Sequence, residues 1–179
     1  MPCQTGTSRK IGGGRPGPAL RCVAMKLTTL TIGERLPAWA DAAVAEYQKR
    51  LPREWRFDLV EVRPEKRLGQ PVERIKAAEA TRLLERCPAG ARIVALDEHG
   101  QTPTTRQLAD WIADWQREGR DTLLLIGGAD GHGPEVLQRA ELKLSLSKLT
   151  LPHALARVLL IEQLYRAASL LAGHPYHRE

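Results

Sequence analysis

Residues 123–128 constrain the fold more than any other stretch of this 179-residue chain. They read LLLIGG, four consecutive apolar residues followed by a double glycine. A short apolar run bounded by glycine is typical of a strand buried on both faces, and such strands occur mainly in parallel sheets covered by helices. Glycine also lets a backbone approach a ligand closely. The segment therefore predicts a buried strand that leads into a candidate binding loop.

Strand-like and helix-like segments alternate along the rest of the chain. Strands are predicted over residues 26–32, 57–62, 92–97, 122–126 and 142–146. Helices are predicted over residues 38–51, 72–86, 104–118, a short stretch after Pro134, and 153–172. Thr104 is placed to cap the third helix. This alternation predicts an α/β fold with a mostly parallel sheet and helices on both faces.

Residues 1–24 differ in composition from the remainder of the chain. They are rich in Gly, Pro, Ser and Thr and have no apolar periodicity, so we expect a disordered N-terminal extension followed by a single domain over 25–179. Neither a signal peptide nor an apolar run long enough to cross a bilayer is evident, which favours the cytoplasm. Three scattered cysteines are too few for a disulfide framework.

The net charge of +6 gives weak evidence for a nucleic-acid partner. Four basic residues and no acid lie within residues 1–24, which leaves 23 basic against 21 acidic residues in the remainder. A local cluster is more informative, since residues 49–76 contain nine basic and five acidic side chains. Such a cluster can neutralise phosphates, and it can equally be an ordinary solvated surface.

The glycines after the fourth predicted strand do not form a known nucleotide motif. Gly127, Gly128, Gly131 and Gly133 match neither G-x-G-x-x-G nor a P-loop. Residues 144–153, LSLSKLTLPH, repeat the layout of an apolar strand followed by a loop of small residues. Each of these two glycine- or serine-containing segments fits either a plain turn or a ligand-binding loop.

Six segments in order resemble one enzyme family. They are MKL at 25–27, RIVALD at 92–97, GRD at 119–121, LTLPH at 149–153, LYR at 164–166 and HPYHRE at 174–179. Together they resemble the SPOUT-class methyltransferases, in particular the small enzymes that methylate N3 of a pseudouridine in 23S rRNA. The resemblance implies a C-terminal trefoil knot, a homodimer, S-adenosylmethionine as cofactor and 23S rRNA within the assembled ribosome as substrate.

The same resemblance implies which residues bind the cofactor. They belong to the end of the third strand and to the two loops described above. The implied cofactor-binding residues are Leu96, Asp97, Gly127, Gly128, Ser147, Lys148, Leu149, Thr150, Leu151 and Pro152. Backbone groups would hydrogen-bond the adenine, and leucines would supply the apolar walls.

Candidate catalytic residues lie on the last helix and in the C-terminal tail. His153 with Arg157, and Glu162 with Arg166, are spaced by four and share a helix face, although the second pair also fits an exposed ion pair. Methylation of an imide nitrogen requires removal of its proton. In the tail, His177 offers a base, Arg178 a cation and Tyr176 a stacking ring. We expect no metal, because His174 and His177 have no third ligand nearby.

Two other functions fit the same sequence. One is a SPOUT methyltransferase with a different RNA target. The other is a non-catalytic ribosome-associated factor that uses only the basic segment.

Overall fold

The computed structural model describes residues 25–33 and 35–174. Its strands are β1 (Leu27–Ile32), β2 (Asp58–Val62), β3 (Arg92–Gln101), β4 (Thr122–Ile126) and β5 (Leu142–Leu144). Its helices are α1 (Ala38–Arg50), α2 (Val72–Leu84), α3 (Thr105–Glu118), α4 (Pro134–Arg139) and α5 (His153–Leu171). The alternation predicted from the sequence is confirmed. The predicted disorder of residues 1–24 lies outside the described residues.

The five strands form one sheet in the order β2-β1-β4-β3-β5, and every neighbouring pair is parallel. Strand β4 is central, with Leu123 level with Thr28 of β1 and with Ile93 of β3. All five residues of β4 are buried, as the apolar run predicts. The predicted parallel sheet is therefore confirmed.

Alternate side chains of β4 enter two separate apolar clusters. Leu123 and Leu125 pack with residues of α2 and α4, whereas Leu124 and Ile126 pack with residues of α1, α3 and α5. This division follows from the two-residue repeat of a strand. Helices thus cover both faces of the sheet, as expected.

Local hydrogen bonds set the start of α3 as the sequence predicts. Thr104 Oγ1 accepts a hydrogen bond from Gln107 N, and Gln107 Oε1 accepts one from Thr104 N. This reciprocal pair is a capping box. The helix ends at Gly119, whose φ of 67° is in the left-handed region that glycine tolerates.

Two strand ends differ from prediction. Strand β3 continues to Gln101 instead of ending at Asp97, because after an irregularity Gln101 pairs again with Leu144 of β5. Gly100 permits this contact, since a Cβ there would lie 2.6 Å from the carbonyl carbon of Lys143. Strand β5 in turn stops at Leu144 instead of residue 146. The chain beyond it is thereby free to form a loop at the sheet edge.

Candidate active site

A cleft of about 580 Å³ lies where β3, β4 and β5 end. The carboxyl ends of parallel strands meet at one edge of a sheet, and ligands commonly bind there. The volume falls within the range of small-molecule sites, roughly 300–1,000 Å³. Eight residues implied to bind the cofactor line this one cleft: Leu96, Asp97, Gly127, Gly128, Ser147, Leu149, Thr150 and Leu151. The fold thus brings together segments that lie about 50 residues apart in the chain.

Two of the implied cofactor-binding residues do not line the cleft. Lys148 is exposed on the loop after β5, between two residues that do line it. Pro152 is also exposed and occupies the N-cap position of α5. Its place before the first turn suits a residue that lacks a backbone N–H. The structure therefore does not place these two side chains in the cleft.

The loop after β4 folds back tightly on itself. The Gly131 N–H donates a 3.0 Å hydrogen bond to the Gly128 carbonyl, and Gly131 has a φ of 80°. A Cβ on Gly127 would lie 2.8 Å from the Gly131 carbonyl carbon. Glycine is required at both positions, at one for the close approach and at the other for the conformation. This compact turn leaves backbone groups along one side of the cleft.

The loop after β5 is fixed by two serines. Ser145 Oγ donates to the Ser147 carbonyl at 2.8 Å, and Ser147 Oγ accepts from the Leu149 N–H at 2.9 Å. Ser147 is thus engaged in shaping the loop. Leu149, by contrast, is 76% exposed although it is apolar and lines the cleft. An exposed apolar side chain at the rim of a cleft can pack against a bound ligand.

Asp97 performs a similar local role where the edge of β3 meets the cleft. Its Oδ1 accepts a 2.9 Å hydrogen bond from the His99 N–H, and the His99 imidazole Nδ1 lies 3.3 Å from the same oxygen. The Asp97 side chain is only 15% exposed, whereas that of His99 is 83% exposed. The carboxylate therefore stabilises the irregular part of β3 at the mouth of the cleft.

His132 is a cleft residue that sequence reasoning missed. It is 3% exposed, and its Nε2 lies 3.0 Å from the Leu125 carbonyl oxygen. Since a carbonyl only accepts, Nε2 must donate and carry the proton. Burial lowers the pKa of His132 below its ordinary value of 6.5, so the imidazole is neutral at pH 7. This side chain ties the loop after β4 back to β4 itself.

Glu79 is the second residue that was missed. Its carboxylate is buried, and Oε1 accepts a 3.0 Å hydrogen bond from the Glu65 N–H. A Cβ built on Gly128 would lie 2.2 Å from the other oxygen, Oε2. A signal was available, because Glu79 lies four residues from Ile75 and from Leu83 on the buried stripe of α2.

The structure separates the candidate catalytic residues of α5. His153 lines the cleft, and its buried Nδ1 has no hydrogen-bond partner among the residues described. Arg157, one turn later, lies outside the cleft lining and donates to Glu61 Oε1 at 2.8 Å. Glu162 and Arg166 form the ion pair that their spacing indicates, at 2.8 Å. Tyr176, His177 and Arg178 lie outside the described residues.

Within residues 25–33 and 35–174, no three His, Cys, Asp or Glu side chains are grouped as metal ligands. None of the described helices is long and apolar enough to cross a bilayer.

A parallel α/β sheet with a cleft built from three loops at one edge defines a small-molecule-binding α/β protein. Comparison with known proteins gives the family. Residues 25–177 match the family described as "Predicted SPOUT methyltransferase". The chain belongs to the SPOUT methyltransferase family, which confirms the resemblance seen in the sequence.

Curated relatives agree with this assignment. A protein of Leptothrix cholodnii named "Ribosomal RNA large subunit methyltransferase H" is 54% identical over 156 residues, which are 87% of this chain and 100% of the relative. A protein of the same name from Laribacter hongkongensis is 51% identical over the same shares. Among solved structures, a Neisseria gonorrhoeae protein described as a methylase family protein matches with a TM-score of 0.51. It is 15% identical, and the match covers 83% of this chain and 85% of that one.

Proposed function

We propose that this chain is an S-adenosylmethionine-dependent methyltransferase that methylates N3 of a pseudouridine in 23S rRNA. The observation that carries the proposal is the convergence of three loops on one ligand-sized cleft in a SPOUT-family chain. Relatives at 54% and 51% identity are named as rRNA methyltransferases of the large subunit. Their names support an RNA substrate.

The residues of the cleft fit the cofactor. Leu96, Leu149 and Leu151 provide apolar surface on two sides, and the glycine turn after β4 presents backbone N–H and C=O groups. This mixture suits an adenine, which has flat apolar faces and polar edges. When bound, S-adenosylmethionine supplies an activated methyl group on its sulfonium. The cleft residues bind and orient it.

The remaining chemistry concerns the proton on the target nitrogen. His153 lines the cleft and can hydrogen-bond a substrate placed there. In the C-terminal tail, His177 is proposed to accept the imide proton and Arg178 to stabilise the anion, while Tyr176 stacks on or hydrogen-bonds the base. Methyl transfer itself depends mainly on alignment of the two reactants. The protein therefore contributes positioning and proton removal.

The functional unit is proposed to be a cytoplasmic homodimer that acts on the assembled ribosome. The tail that carries the base-directed residues then completes the site of the partner. Co-expression of an Arg178→Ala subunit with a Gly128→Val subunit tests this arrangement. Heterodimers should recover part of the activity if sites are composite, and should stay inactive if each site is built within one chain.

The experiment that tests the function uses labelled S-adenosylmethionine and ribosomes from cells lacking this activity. Label should enter 23S rRNA, and mapping should find it on N3 of a pseudouridine. Label at another nucleotide would favour a different RNA target. No calorimetric binding of S-adenosylmethionine, with no label transferred, would favour the non-catalytic ribosome-associated factor.

A further inference from the structure

A second hollow, of about 770 Å³, lies at the same edge of the sheet, where β1 and β2 end. This hollow, the basic recess, is bordered by Gly33, Arg35, Glu61, Arg63, Lys66 and Arg67. Strands β1 and β2 are paired up to Ile32 and Val62, and the Gly33 N–H continues the pairing with a 3.1 Å hydrogen bond to the Val62 carbonyl. Its floor is therefore held by the sheet.

The basic recess and the cleft adjoin each other. Strand β1 lies between β2 and β4, so the loops of the two hollows are neighbours along the sheet edge. Arg67 of the recess pairs at 2.7 Å with Asp130 of the cleft. Glu79 makes a second link, since it bonds the Glu65 backbone and abuts Gly128. A polymer that enters the cleft can thus continue across the recess.

The charge of the basic recess is positive after its ion pairs are taken into account. The two acids on its border are both neutralised, Glu61 by Arg157 and Glu65 by Arg82. The exposed side chains of Arg35, Arg63 and Lys66 have no carboxylate within 4 Å among the described residues. Within residues 25–33 and 35–174, these three cations therefore face solvent without a carboxylate partner.

Arg157 lies beneath the recess, where its charge is matched by that of Glu61. It is 2% exposed, and a Cβ on Gly33 would lie 2.2 Å from its Nη2, so the guanidinium lies directly against the Gly33 backbone. Nη1 donates to Glu61, whereas the buried Nε has no partner within the described part of the chain. The Arg157–Glu61 pair thus fixes the floor of the recess, and the charge available to an anion is that of its exposed border.

We propose that the basic recess binds the phosphate backbone of the RNA strand adjoining the target nucleotide. The proposal rests on the function proposed above. Within the basic cluster of residues 49–76, it assigns RNA binding to the second half of the cluster and not to the first. Lys49 lies in the last turn of α1 and Arg53 in the connection from α1 to β2, at the opposite edge of the parallel sheet. Arg63 and Lys66 follow β2 and lie at the cleft edge.

The test compares two triple variants with equal loss of charge. The recess variant carries Arg35→Gln, Arg63→Gln and Lys66→Gln. The control carries Lys26→Gln, Lys49→Gln and Arg53→Gln, three exposed positions at the opposite edge. Methyl transfer to large ribosomal subunits from cells lacking this activity is measured over a range of salt concentrations. Calorimetry with S-adenosylmethionine and the oligomeric state are measured in parallel.

We expect the recess variant to raise the KM for ribosomal subunits at least tenfold and to reduce the salt dependence of binding by about one unit of log–log slope for each lost contact. The control should stay within twofold of the unchanged protein, and cofactor affinity should be equal in all three. Equal behaviour of the two variants would overturn the proposal, as would a change in oligomeric state confined to the recess variant. If the unchanged protein transfers no methyl group, the proposed function itself fails.

Discussion

Gly128 lies directly against the carboxylate of Glu79, so closely that a Cβ on the glycine would stand 2.2 Å from Oε2. The double glycine after β4 therefore has a packing role in addition to any contact with a ligand. Glu79 is buried and also accepts a hydrogen bond from the Glu65 backbone. The two loops on either side of this carboxylate are thus positioned by one side chain.

Substitution of Gly128 by Ala should displace Glu79 and with it the loop after β4. We expect a loss of about 1–3 kcal/mol in the free energy of unfolding, the usual effect of overpacking, and weaker cofactor binding. Calorimetry and urea denaturation measure the two effects. In a Gly128→Ala/Glu79→Ala double variant the glycine change should cost less than it does alone. Strictly additive losses would show that the carboxylate does not limit this position.

Stability should fall on the acid side of neutrality because of His132. Burial lowers the pKa of this imidazole below 6.5 in the folded state. The unfolded chain therefore binds the proton first, so stability is full above pH 6.5 and declines as the pH falls below that value. Thermal unfolding midpoints between pH 5 and pH 8 report this decline.

The matched variants for this prediction are His132→Asn and His99→Gln. The first removes the buried titrating group and should flatten the profile below pH 6.5, even though the protein is less stable throughout. The second removes an exposed histidine at the mouth of the cleft. It should retain the profile of the unchanged protein. A profile that is flattened in His99→Gln and not in His132→Asn would show that His132 is not the source of the pH dependence.

The ion pair between Arg157 and Glu61 should be asymmetric in its contribution to stability. Arg157 is 2% exposed, whereas the Glu61 side chain is 41% exposed. Glu61→Gln leaves a buried cation without a carboxylate and should destabilise the protein by about 1–3 kcal/mol, less than for a fully buried pair because the Glu61 side chain is partly exposed to solvent. Arg157→Met in the same chain should restore most of that loss, because it removes the stranded charge. Urea denaturation measures both, and a Glu61→Gln effect below about 0.5 kcal/mol would contradict the prediction.

A protein that begins at Met25 should keep its fold and its cofactor affinity. Met25 is 0% exposed, and its sulfur accepts a weak hydrogen bond from Thr122 Oγ1 at 3.8 Å. Met25 is therefore part of the core. The composition of residues 1–24 offers little apolar surface for burial. The thermal midpoint and the calorimetric affinity should match those of the full chain. A lower value of either would assign a structural role to the first 24 residues.

Arg178→Ala should reduce methyl transfer at least tenfold, which corresponds to about 1.4 kcal/mol of transition-state stabilisation. The reason is that this residue is proposed to act on the target base. Affinity for S-adenosylmethionine should remain within twofold. If rate and affinity decline together, the tail belongs to the cofactor site, and His153 becomes the better candidate for the proton step.

Much of this architecture could be predicted from local sequence. The sequence predicts a strand at residues 122–126 with the bounds that the structure shows, because the apolar run is too short for a helix and is followed by glycine. The N-cap at Thr104 is likewise a local signal, read from its own hydroxyl, whereas the reciprocal hydrogen bond from Gln107 was not predicted.

Tertiary pairing determined what the sequence did not show. Strand β3 extends to Gln101 only because β5 lies beside it, and Gly100 and Pro103 locally favour a turn. The buried imidazole of His132 is hydrogen-bonded to the Leu125 carbonyl, and the spacing of residues in the sequence does not predict this bond. The trefoil knot implied by the family has no signature in composition or periodicity, and it rests on family membership.

The central position of β4 has a consequence for how the chain is made. During synthesis β1, β2 and β3 all leave the ribosome before β4, yet β1 and β3 are joined only through β4, with Thr28 beside Leu123. Until residue 126 emerges, the nascent chain holds the β1–β2 pair and a β3 strand with no partner, because β5 is made after β4. Both have unpaired backbone groups along the border that β4 later occupies. Such borders readily pair with other chains. Early chaperone protection of this nascent chain should therefore matter more than for a protein whose strands pair in the order of their synthesis.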